Sequence, residues 1–229
     1  MSQESNVESP VNSIPPVVVV LFLVIIGVEA AFSLGARGLI GGPEAVGWRT
    51  SSIQRYGFNR DIMAWMWAND VYPREHLSRF LSYSFVHGTF THALFAGAMV
   101  LALGKFVGDV FSQWATLVLF VVSSAAGALV FGLVSGASPW LTGAFPGVYG
   151  LIGGFTYLMW LKLEQMGAQK YRAFTLIGFL LGIQLIFGLL FGSNGDWLAD
   201  IGGFVAGFLA SFLLSPGGFA KLRAKMRHE

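Results

Sequence analysis

The stretch Thr142–Gly154, TGAFPGVYGLIGG, decides how the rest of the chain is read. Five of its thirteen residues are glycine, and it opens an apolar run that continues to Leu163. A bulky ring and a proline, Phe145 and Pro146, sit among these small residues. Gly150 and Gly154 are four apart, so they share one helix face and let a neighbouring backbone approach closely. The same spacing returns as Gly203-x-x-x-Gly207. In lipid this pattern predicts tight packing between the two segments and says nothing about chemistry.

Composition makes the bilayer the solvent to reason in. The 229 residues are 55% hydrophobic and 11% charged, with a mean hydropathy of +0.65, against about 25% charged in soluble domains. There are no cysteines, which excludes disulfides, Cys-ligated zinc, iron–sulfur clusters and thiol catalysis. The net charge is +2 and the basic residues form no bank, so no nucleic-acid partner is expected. The N-terminus, MSQESNVESPVNSIPP, is polar and has no basic n-region of a cleaved signal peptide.

Six hydrophobic spans are predicted, over Val17–Leu34, Phe80–Leu103, Gln113–Val134, Gly147–Leu163, Tyr171–Phe191 and Trp197–Ser215. No barrel-like alternation occurs, so the fold class is an all-α polytopic membrane protein. Residues 1–16 read as a disordered cytoplasmic lead, 17–215 as one membrane domain, and 216–229 as a basic cytoplasmic tail. The basic residues Lys162, Lys170 and Arg172, with Lys221, Arg223, Lys225 and Arg227 of the tail, put both termini in the cytoplasm. The expected location is a bacterial inner membrane. The long first loop carries six arginines, and within it Ile62–Trp67 is aromatic but too short to span. It reads either as an interfacial segment or as a loop packed on the bundle.

Polar residues at depth are the informative ones in such a protein. Glu29 falls in the first span, His87 and His92 in the second, Tyr149 in the fourth, Gln184 in the fifth and Asp200 in the sixth. An ionised Asp at mid-bilayer costs roughly 2.5–3.5 kcal/mol, so Asp200 is expected to face the bundle and find a partner. A His–Asp contact is the natural guess, and pinning two helices together is its plainest role. His87 and His92 are five residues apart, about 140° around a helix, which is not zinc-helix spacing. No metal and no other cofactor is expected.

Three segments in order resemble the rhomboid family of intramembrane serine proteases. His87-Gly88-Thr89-Phe90-Thr91-His92-Ala93-Leu94-Phe95-Ala96 is similar to that family's H-x-x-x-x-H-x-x-x-N, with Arg79 matching a frequent upstream arginine. Gly143-Ala144-Phe145-Pro146-Gly147-Val148-Tyr149-Gly150-Leu151 is similar to G-x-S-G-x-x-[YF]-x-L. Ala199-Asp200-Ile201-Gly202-Gly203 is similar to A-H-x-x-G. The resemblance covers Arg79 to Leu214 and implies a six-helix bundle with a long, membrane-embedded first loop.

The departures fall on the chemistry. The resemblance implies a serine nucleophile where this chain has Phe145, a histidine base where it has Asp200, and an oxyanion-stabilising asparagine where it has Ala96. His92 and the stacking aromatic Tyr149 are retained. Nucleophile and base act as a unit, and losing either costs on the order of 10⁶ in rate. Pro146 also lacks an N–H in a turn whose backbone donors serve an oxyanion hole.

The resulting expectation is an inactive rhomboid-like protein, with no catalytic residue, that binds transmembrane segments of partner proteins as adaptor, chaperone or complex subunit. An alternative is a protease with a displaced nucleophile at Ser138, in Gly136-Ala137-Ser138, although Pro139-Trp140-Leu141 does not continue the family pattern. A third is a small transporter using Glu29, Asp200 and the histidines, against which stands the lack of an internal repeat.

Overall fold

The computed structural model describes residues 13–134, 140–191 and 195–215. Most of the expected N-terminal lead, the tail over 216–229, and Ser138 lie outside the described residues.

The chain begins with α1 (Pro16–Ala36), which opens on a proline whose fixed φ and missing N–H suit a first helical position. It continues through α2 (Trp48–Tyr56), the two-residue strand β1 (Phe58–Asn59), α3 (Arg60–Asn69) and α4 (Arg74–Ser82). Then come α5 (Phe90–Gly108), α6 (Gln113–Val134), β2 (Trp140–Leu141), α7 (Phe145–Gln165), α8 (Thr175–Phe191) and α9 (Asp196–Leu214). The helices α1, α5, α6 and α9 are long and apolar enough to cross a membrane. The other two expected spans correspond to α7, which ends in Lys162 and Glu164, and to α8, which has 17 residues.

One boundary needs correction. The expected second span begins at Phe80, but α5 begins at Phe90. Residues Tyr83–Phe85 form a 3₁₀ turn and the chain then runs extended to Thr89. Thr89 stops the helix from starting earlier, because its side chain caps α5 by accepting from the His92 N–H at 3.2 Å. Tyr83 and Val86 are apolar because they are buried in the bundle, and that apolarity imitates a helix continuing upstream. His87 therefore sits on an extended segment, and the 140° argument about its spacing from His92 does not apply.

The first loop is folded onto the bundle. Asn59 caps α3 by accepting from the Ile62 N–H at 3.0 Å. Met63 and Met66 of α3 are buried with Phe58, Tyr83 and Phe131, while Trp65 and Trp67 stay exposed. Arg79 donates to the carbonyls of Gln54 at 2.8 Å and Gly57 at 2.9 Å, fastening α4 to the end of α2. β1 pairs antiparallel with β2, Phe58 opposite Leu141 and Asn59 opposite Trp140, so the loop is tied to the segment that enters α7.

The bundle is organised around α7. Every residue from Pro146 to Gly154 is buried, which for a helix means neighbours on all sides. Those neighbours are mainly α9, α6 and α5. A Cβ on Gly207 would land on the backbone of Gly150, and one on Gly203 on the carbonyl of Pro146. Gly150 also presses on Ser123 of α6, and a Cβ on Gly154 would meet Leu119, Val107 and, at 3.6 Å, Ser211 of α9. By contrast, α8 packs through the turn Lys170–Phe174 and only sparsely along α7.

Candidate functional site

The turn entering α7 is clamped from above by two imidazoles. Gly143 has φ +96°, a region that favours glycine. A Cβ there would come within 2.6 Å of His92 Cε1 and 3.3 Å of His87 Cδ2. The β1–β2 pair and the capped start of α5 bring these parts together from opposite sides. The His87 and His92 rings meet edge to face, with centroids 5.2 Å apart.

This turn has few N–H groups to spare. Gly143 donates to the Tyr83 carbonyl at 2.9 Å. Ala144 donates to His87 Nε2 at 3.2 Å, so that nitrogen is unprotonated and the buried His87 acts as a fixed acceptor. Pro146 has no N–H. Phe145 opens α7 and lays its ring on His92, with centroids 5.0 Å apart and planes within 14°. The face of His92 is thus covered by carbon.

Below the turn lies a cavity of about 180 Å³, lined by His92, Leu141, Thr142, Phe145, Pro146, Gln184, Asp196 and Asp200. Phe145, His92 and Asp200, which are separated in sequence, converge here. Asp200 is 3% exposed and accepts from Gln184 Nε2 at 2.7 Å. Among the described residues no hydrogen bond or ion pair joins Asp200 to His92. In place of the anticipated His–Asp contact there are two separate arrangements: Phe145 stacks on the face of His92, and Gln184 reaches the carboxylate from α8. Tyr149 lies one turn beyond Phe145 on the same helix and is buried. Ala96, one turn beyond His92, is fully buried and brings no polar atom. Thr142 supplies the hydroxyl on the cavity wall, and among the described residues it makes no hydrogen bond to His92 or Asp200.

Glu29 belongs to a different assembly. It is 1% exposed and grips Arg49 of α2 with both oxygens, at 2.6 and 2.8 Å. Ser33 adds a third hydrogen bond at 2.8 Å. Arg49 also donates to the His87 carbonyl at 2.7 Å, so the pair holds the extended segment in place. These hydrogen bonds to Glu29 hold the Arg49 guanidinium above its ordinary range. Sequence reasoning singled out Glu29 but missed Arg49. A carboxylate in an apolar span calls for a cation, yet six arginines in the loop are equivalent on paper. It also missed Tyr83, fully buried with its hydroxyl donating to the Ser124 carbonyl at 2.8 Å, and Asp196.

Two polar centres therefore stand side by side: a saturated ion pair, and a cavity whose polar groups are incompletely used. Among the described residues no three His, Asp or Glu side chains converge as a metal site. A family model described as Rhomboid domain matches residues 74–217. No curated protein matches the chain.

Proposed function

The chain belongs to the rhomboid family, and from that premise we propose that it is an inactive member that binds transmembrane segments of partner proteins. It is an integral membrane protein. The observation that carries the reading is Phe145 stacked on His92, at the position where the family places its nucleophile. A phenyl ring has no nucleophilic atom, and the imidazole it covers has nothing to activate. Asp200 in place of the base receives a hydrogen bond from Gln184 and none from His92. The N–H groups of Gly143 and Ala144 are already engaged and Pro146 has none, so oxyanion donors are scarce as well.

With α7 and α8 counted as spans the bundle has six crossings, and the basic tail supports a cytoplasmic position for both termini, in a bacterial inner membrane. The first loop then lies at the opposite surface, with Trp65 and Trp67 at headgroup depth. In this family substrate helices approach beside the second and fifth spans, here α5 and α8. A scaffold that keeps this entry without the nucleophile is an adaptor, a chaperone or a subunit of a larger membrane complex.

The test is labelling of the purified full-length protein with a serine-reactive fluorophosphonate, beside cleavage of a model transmembrane substrate. Neither labelling nor cleavage is expected. Labelling that disappears in Ser138→Ala would establish the displaced nucleophile and end the proposal.

A further inference from the structure

The polar side of the cavity beneath Phe145 is rich in acceptors, two of them buried and without a hydrogen-bond partner among the described residues. Asp200, 3% exposed, receives a hydrogen bond from Gln184 Nε2 at Oδ2. With Nε2 committed to Asp200, the Oε1 of Gln184 is left buried without a partner. The Oδ1 of Asp196 is buried without a partner too. These groups come from two helices, α8 and α9, and all line the same cavity of about 180 Å³. Among the described residues no lysine or arginine lines it. His92 and the Thr142 hydroxyl also line it, and among the described residues neither is hydrogen-bonded to Asp200.

Buried acceptors without donors are costly to leave unmade. They match a group that only donates. A lysine ammonium has three donors and no acceptor, and a guanidinium five. The space is several times the ~30 Å³ share of one water, which leaves room for such a head and part of its stem. We infer that the cavity receives a lysine or arginine side chain carried within a partner's transmembrane helix, with Asp200 as its counter-ion and Gln184 and Asp196 completing the acceptors. This rests on the helix-binding reading and names the chemistry of the partner. Asp200 is the fifth residue of α9, about 6 Å along from Asp196. The basic residue therefore lies about one turn inside the membrane, not in the headgroups. Among the described residues α8, which supplies Gln184, packs mainly through the turn Lys170–Phe174.

The experiment uses the full chain in nanodiscs and three labelled single-span peptides. They are identical except for Lys, Leu or Glu one turn inside the end that matches the start of α9. Binding is read by energy transfer. The Lys peptide is expected to bind roughly three- to tenfold more tightly than the Leu peptide, the scale of polar contacts between membrane helices. The Glu peptide is expected to bind weakest. Asp200→Asn removes the preference for the Lys peptide over the Leu peptide. Asp200→Lys transfers the preference to the Glu peptide. Equal binding of Lys and Leu peptides to the unaltered protein overturns the inference and leaves helix binding intact. A Lys preference that survives Asp200→Asn overturns the assignment to Asp200. Absence of binding by every peptide overturns the helix-binding reading together with this one. The peptide ranking on the unaltered protein decides the matter even where a variant fails to fold.

Discussion

Glu29 and Asp200 are both carboxylates enclosed among membrane helices, at 1% and 3% exposure, yet their surroundings are opposite. Glu29 accepts from both arms of Arg49 and from Ser33, and the same arginine reaches on to the His87 carbonyl. Asp200 accepts from a neutral donor, Gln184, faces a cavity, and has no cation beside it among the described residues. Burial is the same, so burial does not separate a structural group from a binding group. Saturation of the hydrogen-bonding capacity does. A saturated carboxylate has nothing left to offer a ligand, and an unsaturated one carries a standing cost that a ligand can relieve.

The largest effect is expected where saturation is broken. Arg49→Ala leaves Glu29 buried without its cation, which costs about 3–5 kcal/mol. Unfolding in mixed detergent micelles measures it. The double variant Glu29→Gln with Arg49→Gln is expected to lose less than the single one, because no buried charge is orphaned. A double variant as unstable as Arg49→Ala would mean that Arg49 acts through its contact with the His87 carbonyl, and the pair would no longer be the mirror of Asp200.

A middle effect is expected at the roof of the open site. Gly143→Ala places a Cβ against His92 in a left-handed backbone, at a cost of about 1–3 kcal/mol. Its specific signature is loss of the His92–Phe145 stack, visible as a changed His92 ring resonance. If the stack persists with undiminished stability, the turn is softer than its geometry implies, and the open site owes its shape to α8 and α9 instead.

How far the sequence disclosed this contrast follows from the kind of signal each part leaves. The spans of α1, α6 and α9 were legible to within two residues, because a bilayer demands an uninterrupted apolar run. The start of α5 was not legible: Tyr83–Val86 is as apolar as a helix, and only the Thr89 cap separates the two. The substitutions at Phe145, Asp200 and Ala96 were visible, since a motif shows its gaps by position. Their partners were hidden. Nothing local in sequence joins Arg49 to Glu29 twenty residues away, or prefers Gln184 over His92 as the donor to Asp200. Such choices are made by tertiary packing, which brings Gln184 of α8 onto Asp200 of α9.

The smallest effect is expected at Asp200 itself. Asp200→Asn keeps the size of the side chain and an oxygen to accept from Gln184. It removes a charge that no cation within the described residues balances. The lost hydrogen-bond strength and the relieved desolvation oppose each other, so the net change in unfolding free energy is expected to stay within about 1 kcal/mol. The same detergent unfolding that registers Arg49→Ala measures it. A loss comparable to that of Arg49→Ala would show that Asp200 holds α8 against α9 as Glu29 holds α2 against α1. The two carboxylates would then be alike, and the cavity only a packing gap. A near-neutral result leaves Asp200 a group the fold tolerates without needing, which is what a binding residue in a helix-receiving scaffold has to be.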